Sequence, residues 1–140
     1  MKNLKNLFVI LFIALFSFVA QAQTLSGEWQ LSEIKAGGKN IELAGVERKP
    51  DISLKTKNKL GGTAGCNHYF GDYKILGKGR IKVRDVGSTL MACADEIMKR
   101  ERLFLDILSK ATRFKITKNS LLFSDASGKN QLTFFRKQNQ

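Results

Sequence analysis

The sequence predicts an α+β protein in which β-structure dominates, arranged as an antiparallel meander with one helix. Three observations lead to this class. Most of the chain alternates apolar and polar residues with a period of two, which is typical of strands with one buried face. Tight-turn signals separate these runs, which favours antiparallel neighbours. One segment, Asp95 to Lys110, has a helical period instead.

The strands are predicted from their alternation and from the turn residues between them. Glycine, proline, asparagine and aspartate mark the turns. Nine runs show this alternation, at residues 28–32, 41–43, 52–56, 60–63, 69–75, 80–84, 114–117, 121–123 and 132–135, and we expect them to give seven or so strands. Within the run 69–75, Gly71 indicates a β-bulge or a close approach of another backbone.

The helical segment is amphipathic. At 100° per residue its apolar side chains share one narrow arc, and charged side chains lie opposite. The residues of the arc are Ile97, Phe104, Leu108 and Ala111. Asp95 is the expected N-cap, and Glu96 suits the positive end of the helix dipole. We expect this helix to lie against the sheet or to plug the open side of a curled one.

The first 22 residues have the features of a secretory signal peptide. Lys2 and Lys5 precede an apolar run from Leu7 to Val19, and Ala20-Gln21-Ala22 provides the small residues for cleavage before Gln23. This run of 13 residues is shorter than the roughly 20 that span a bilayer. We therefore expect one domain over residues 23–140, periplasmic or secreted. No cysteine follows the cleavage site, so we do not expect a lipoprotein.

The two cysteines, Cys66 and Cys93, are expected to form a disulfide. Export places them in an oxidising compartment, where a cysteine pair is more often a disulfide than a metal site. Structural zinc needs four nitrogen or sulfur ligands, and His68 is the only histidine. Two buried free thiols are the alternative. The sequence predicts no metal and no cofactor.

Glu101 lies at the centre of the apolar arc, between Ile97 and Phe104. A buried carboxylate must be hydrogen-bonded or protonated, because an unpaired buried charge is costly. The structural hypothesis is a polar hub: the carboxylate accepts hydrogen bonds from the loop Gly87-Ser88-Thr89, and Asn67 adds its amide. The catalytic alternative is a general acid or base.

Other catalytic arrangements have little support. His68 follows Cys66 by two residues and could share a strand face with it, but a disulfide would remove the thiolate. The sequence contains no G-x-S-x-G elbow, phosphate loop or dinucleotide fingerprint. We therefore predict a protein that is not an enzyme. The alternative is a periplasmic hydrolase that uses Glu101 or His68.

The chain carries a net charge of +12, and two groups of basic residues recur at alternate positions. Each group is expected to share one side of a strand: Lys55, Lys57 and Lys59, and then Arg80, Lys82 and Arg84. Charge at every second position is typical of a solvated sheet face. The alternative is attraction to lipopolysaccharide, phospholipid head groups, an acidic glycan or an acidic protein. Few aromatic residues accompany these charges, which argues against nucleic acid.

Motifs along most of the chain resemble those of the META domain family, the family of the heat-shock protein HslJ. The resemblance extends from Gly27 to Arg136. Its elements are Gly27-x-Trp29-x-Leu31, Gly65-Cys66-Asn67, Gly71-x-Tyr73, Thr89-x-Met91-Ala92-Cys93, Glu101 with Phe104 and Leu108, Asp125-x-x-Gly128 and Leu132-x-Phe134. The chain departs from the family pattern in lacking a lipid attachment cysteine and in carrying Ala94 where a proline is common.

The resemblance implies a small exported domain with a strongly curved antiparallel β-sheet. This sheet would form an open or cracked barrel-like meander, with one amphipathic helix packed against it. The family also implies a link to envelope stress and brings no enzymatic activity or defined ligand. We expect a non-catalytic monomer that binds an anionic envelope component or a periplasmic protein. The alternative is an inhibitor or accessory subunit of another envelope protein.

Overall fold

Nine strands and one helix form the described part of the chain, residues 24–45 and 47–138 of the computed structural model. The strands are β1 (Gly27–Ala36), β2 (Lys39–Ile41), β3 (Asp51–Leu54), β4 (Lys59–Thr63), β5 (His68–Gly77), β6 (Arg80–Ser88), β7 (Arg113–Ile116), β8 (Ser120–Ser124) and β9 (Gln131–Arg136), and the helix is α1 (Asp95–Ser109). Each of the nine predicted runs overlaps one strand, so the expected count of about seven was too low. The predicted signal peptide lies outside the described residues.

Strand β1 closes the sheet. One edge of β1 pairs with β2 and β3, and its other edge pairs with β9, the last strand of the meander. All neighbouring strands are antiparallel, and eight of them form a closed barrel that β2 extends at one corner. The predicted curved antiparallel sheet with one packed helix is confirmed. The sheet is closed rather than open, because the pairing of β1 with β9 joins its two ends.

Strand pairing in the barrel is least extensive between β6 and β7. A single residue pair links these strands in the described sheet. Two backbone hydrogen bonds accompany it, from the Ile81 N–H to the Thr112 carbonyl (3.0 Å) and from the Phe114 N–H to the Gly79 carbonyl (2.8 Å). Helix α1 separates β6 from β7 in the chain and packs against β6, β8 and β9. Contacts with α1 on both sides of β7 therefore supplement the short strand pairing.

Aromatic side chains form the centre of the core. Phe104 of α1 packs edge-to-face against Tyr69 and Phe134, with ring centroids 5.5 and 6.3 Å apart. Phe134 packs in the same way against Phe123 at 6.0 Å. Trp29 near the start of β1 is fully buried. The helical arc predicted to be buried therefore faces the barrel interior, where it completes an aromatic cluster.

The sequence predicts Asp95 as the N-cap of the helix, and this prediction is wrong. Ala94 occupies that position without a side-chain hydrogen bond, and Asp95 is the first helical residue. Asp95 and Glu96 both lie in the first turn, where their charges face the positive end of the helix dipole. The start of α1 therefore depends on tertiary contacts more than on a local cap.

Gly71 lies where β5 and β6 approach closely. A Cβ atom at this position would lie 3.0 Å from the carbonyl oxygen of Arg84. The register between the two strands shifts beside Gly71, and Asp85 on β6 has a φ of 54°. The bulge and close approach predicted at this glycine are confirmed.

Gly62 in β4 has no room for a side chain. A Cβ atom there would overlap the backbone carbonyl oxygen of Asp51. We expect Gly62→Ala to lower the free energy of unfolding by about 1–3 kcal/mol, the usual cost of overpacking, and to lower the thermal midpoint. Thr56→Ala, at an exposed position between β3 and β4, is the control and should melt like the wild type. An unchanged melt for Gly62→Ala would contradict the close approach.

Candidate functional site

A disulfide between Cys66 and Cys93 ties the start of β5 to the start of α1. The two Cα atoms are 6.1 Å apart, and 27 positions separate the cysteines in the chain. The pair expected from the sequence is thus bonded in the structure. The bridge removes the thiolate that a Cys66 nucleophile would need.

Glu101 of α1 is 3% exposed and accepts hydrogen bonds from two consecutive residues of the loop between β4 and β5. Its Oε2 accepts the backbone N–H groups of Cys66 (3.0 Å) and Asn67 (2.7 Å). Its Oε1 accepts the side-chain amide of Asn67 (2.6 Å). Both carboxylate oxygens are therefore bonded to this loop, out of contact with solvent.

Asn67 connects the Glu101 carboxylate to the segment that precedes the helix. Its Oδ1 accepts the backbone N–H of Met91 (2.6 Å) and the hydroxyl of Thr89 (2.9 Å). Its Nδ2 also donates to the Met91 carbonyl (3.3 Å). Thr89 in turn accepts the backbone N–H of His68 (3.2 Å). We call Glu101, Asn67 and Thr89, with the adjacent disulfide, the polar cluster.

Ser88 does not join the polar cluster, contrary to the sequence-based expectation. It ends β6 opposite Tyr69, and Glu101 has no hydrogen bond to it in the described structure. The loop Gly87-Ser88-Thr89 does not supply the donors directly, because β6 extends to Ser88 and pairs with β5. The donors come from Cys66 and Asn67, and Thr89 contributes only through Asn67.

His68 is exposed and lines a groove of about 740 Å³ on the outer surface of β3, β4 and β5. Glu28 and Ser53 also line this groove, and the Ser53 hydroxyl donates to Glu28 at 2.6 Å. This serine is therefore bonded to a carboxylate rather than to an imidazole. Within residues 24–45 and 47–138, no group of three or more His, Cys, Asp or Glu side chains could hold a metal ion.

Basic side chains cover the outer surface of β5, β6 and β7. We call five of them the cationic face: Lys74, Arg80, Lys82, Arg84 and Arg113. On β6 the three basic residues are exposed and alternate with the buried residues Ile81 and Val83. The prediction that Arg80, Lys82 and Arg84 share one side of a strand is confirmed.

Four of the five side chains of the cationic face lie directly opposite a like charge, and Arg84 lies opposite Asp72. Lys74 pairs with Lys82, and Arg80 pairs with Arg113. Backbone hydrogen bonds flank the Arg80–Arg113 pair, an arrangement in which facing Cα atoms are only about 4.5 Å apart. Facing like charges are destabilising. None of the ion pairs in the described ranges includes these four side chains.

The lysines at positions 55, 57 and 59 do not share one side of a strand, so that prediction is wrong. Residues 56–58 form a turn between β3 and β4, in which Lys57 and Asn58 have φ angles of 61° and 60°. The Lys55 N–H donates to the Lys59 carbonyl across this turn (2.8 Å). Asn58 tolerates the left-handed conformation, which allows the chain to reverse here. Lys59 is also paired with Asp72 at 2.6 Å.

Lys74 and Arg113 were not identified from the sequence as part of a basic surface. Each faces a cation on the neighbouring strand, which only the register reveals. The available signal was weak: Arg113 and Lys115 repeat the alternation of basic residues seen in residues 80–84. Pairing between β6 and β7 could not be inferred, because the helix separates these strands in the chain.

The fold and the polar cluster define a class of small barrel domain with one helix packed against the barrel. Within the described ranges, no helix has the length and apolar character needed to cross a membrane. The META domain model matches residues 22–139, and the chain belongs to the META domain family.

Solved structures share this fold. A protein from Burkholderia xenovorans, determined by NMR, is 24% identical, with a TM-score of 0.69 over 81% of this chain and 83% of its own. The crystal structure of a DUF4847 family protein from Bacteroides vulgatus is 13% identical, with a TM-score of 0.59 over 82% of this chain and 95% of its own. No curated protein matches the chain. At these identities the likeness concerns the fold alone.

We expect Glu101→Ala to destabilise the protein strongly, because it leaves buried donors of Cys66 and Asn67 unpaired. Each unpaired donor costs about 1–3 kcal/mol. Glu101→Gln should destabilise it less, since the amide keeps one acceptor oxygen, which can still accept the backbone N–H groups of Cys66 and Asn67. Thermal melts measure both effects, and Asp106→Ala on the exposed side of α1 is the control. A Glu101→Ala melt equal to that of the control would contradict a structural role for the carboxylate.

Both tyrosines have a pKa raised above the ordinary value of about 10. Burial is the main cause for both, and the charges of Asp51 and Glu28 raise the pKa of Tyr69 further. The Tyr69 hydroxyl donates to the Asp51 carbonyl (2.7 Å), and the Tyr73 hydroxyl to the Lys55 carbonyl (3.2 Å). The folded protein therefore favours the neutral phenols.

A raised pKa in the folded state makes stability depend on pH in the alkaline range. The contribution of Tyr69 is fully present below pH about 10 and is lost as the pH rises through the folded-state pKa. We expect little phenolate absorbance from the native protein at pH about 10, where free tyrosine is half ionised. Tyr69→Phe should reduce the alkaline loss of stability. A native titration that coincides with that of the unfolded chain would contradict this expectation.

Proposed function

We propose that this META-domain protein is a non-catalytic, exported binding protein whose cationic face binds an anionic component of the cell envelope. The observation that carries the proposal is the pairing of like charges, Lys74 with Lys82 and Arg80 with Arg113. A sheet surface that served only solubility would place opposite charges across from each other, as Asp72 and Arg84 do, rather than like charges. An anionic ligand that carries phosphate or carboxylate groups would relieve the repulsion.

Export is supported by the signal-like features of residues 1–22 and by the disulfide, a bond typical of oxidising compartments. The association with envelope stress follows from the family resemblance. A binding role without catalysis is supported by the polar cluster: the oxygens of Glu101 are occupied, and Cys66 is oxidised. Glu101 and Cys66 therefore have structural roles, and the proposed contact with a partner is made by the charged side chains of the cationic face.

Binding to vesicles that contain phosphatidylglycerol, and to soluble polyphosphate, tests the proposal. Both affinities should fall as salt increases, because surface charges are screened over about 8 Å at physiological ionic strength. The double variant Lys74→Gln/Lys82→Gln should bind anionic vesicles roughly 30-fold more weakly, at about 1 kcal/mol per lysine near the surface. Its thermal midpoint should be unchanged or higher, because the repulsion is removed.

The control is Lys39→Gln/Lys129→Gln, which removes the same charge from exposed positions away from the cationic face. This variant should bind like the wild type. Absence of binding to both probes at low salt would overturn the proposal. Equal losses for the two double variants would assign the attraction to net charge rather than to the cationic face, and would overturn it as well.

A further inference from the structure

Three turns lie at the same end of the barrel, because successive turns of an antiparallel meander alternate between its ends. They connect β3 to β4, β5 to β6, and β7 to β8. Each turn carries a lysine: Lys57, Lys78 and Lys118. Residues 55–58, 77–79 and 117–119 contain no acidic side chain. We call this the lysine end of the barrel.

Two of these lysines have backbone conformations that favour other residues. Lys57 has a φ of 61° and Lys78 a φ of 49°, and glycine or asparagine adopts such angles more readily. Gly77 and Gly79 flank Lys78, so the hairpin between β5 and β6 already uses glycine on both sides. The turn geometry therefore does not account for a lysine at this position.

Aliphatic side chains project beside the lysine at position 78. Ile75 is 40% exposed and Leu76 is 42% exposed. The register shift between Ile75 and Gly77 leaves Leu76 without a partner on β6. The Arg80 guanidinium donates to the Leu76 carbonyl (3.4 Å), and a backbone hydrogen bond to Gly79 ties the hairpin to β7. Ile75 and Leu76 thus lie on a hairpin that is anchored to β7.

We infer that the lysine end binds an anionic lipid bilayer, with Leu76 inserted at the boundary between the head groups and the acyl chains. This inference rests on the proposed function, because it names a lipid surface as the anionic partner. A soluble polyanion would use the charges but would leave Leu76 in water. A bilayer interface accommodates both, since lysine ammonium groups pair with lipid phosphates while aliphatic side chains enter the acyl boundary.

Fluorescence of Leu76→Trp tests insertion directly. The only native tryptophan, Trp29, is fully buried and gives a constant background. With phosphatidylglycerol vesicles, the new emission should shift to shorter wavelength and be quenched by lipids brominated in their acyl chains. With polyphosphate, the emission should not shift. Unshifted and unquenched emission on bound vesicles would overturn the inference.

Leu76→Ser should weaken binding to anionic vesicles about tenfold, the change expected when one leucine side chain no longer enters the apolar region. Its binding to polyphosphate should be unchanged. Leu90→Ser is the matched control, because Leu90 is 95% exposed and follows β6 at the opposite end of the barrel. This control should bind vesicles like the wild type. An equal effect of the two substitutions would overturn the inference.

Lys78→Asn separates charge from turn geometry, since asparagine accepts a positive φ. Its thermal midpoint should not fall, while vesicle binding should weaken more than for Lys129→Asn in the turn between β8 and β9 at the other end. Salt-sensitive polyphosphate binding with no effect of Leu76→Ser on vesicle binding would refute the lipid surface and leave the proposed function standing. Loss of binding to both probes in the wild type would refute both.

Discussion

The Glu101 carboxylate is the interaction on which the rest of the structure depends. It brings together three parts of the chain: the helix, the loop before β5, and, through Asn67, the segment that follows β6. A carboxylate on the inner side of a helix is tolerated only when its oxygens are satisfied. The geometry that satisfies them also brings Cys66 and Cys93 within bonding distance.

Local features of the fold could be predicted from the sequence. The helical period placed Phe104 and Leu108 on the buried arc, and both are fully buried. Glu101 stood out because a carboxylate interrupted that arc. Asp95 is the first helical residue rather than the N-cap, and the segment before it is held by the Cys93 disulfide and by the hydrogen bond from Met91 to Asn67. Periodicity reports which way a side chain points within its own element, and it was reliable there.

Relations between strands could not be predicted in the same way. The facing pairs Lys74–Lys82 and Arg80–Arg113 depend on register, which is a non-local property of the sheet. The basic run at residues 55–59 looked like a strand, because alternation alone does not reveal that Lys57 and Asn58 adopt left-handed angles. Ser88 was misplaced for a similar reason, since the length of β6 determines where the next loop starts.

The closure of β1 against β9 also governs how the chain can fold. Trp29 pairs with Arg136, and the Arg136 guanidinium stacks on the indole at 4.1 Å. During synthesis residues 27–36 emerge long before residues 131–136, so one edge of β1 stays unpaired until the whole chain is available. Contacts between such distant segments slow folding, because a long loop must be ordered before they form. The barrel can therefore be completed only after β9 has been synthesised, however early the local hairpins form.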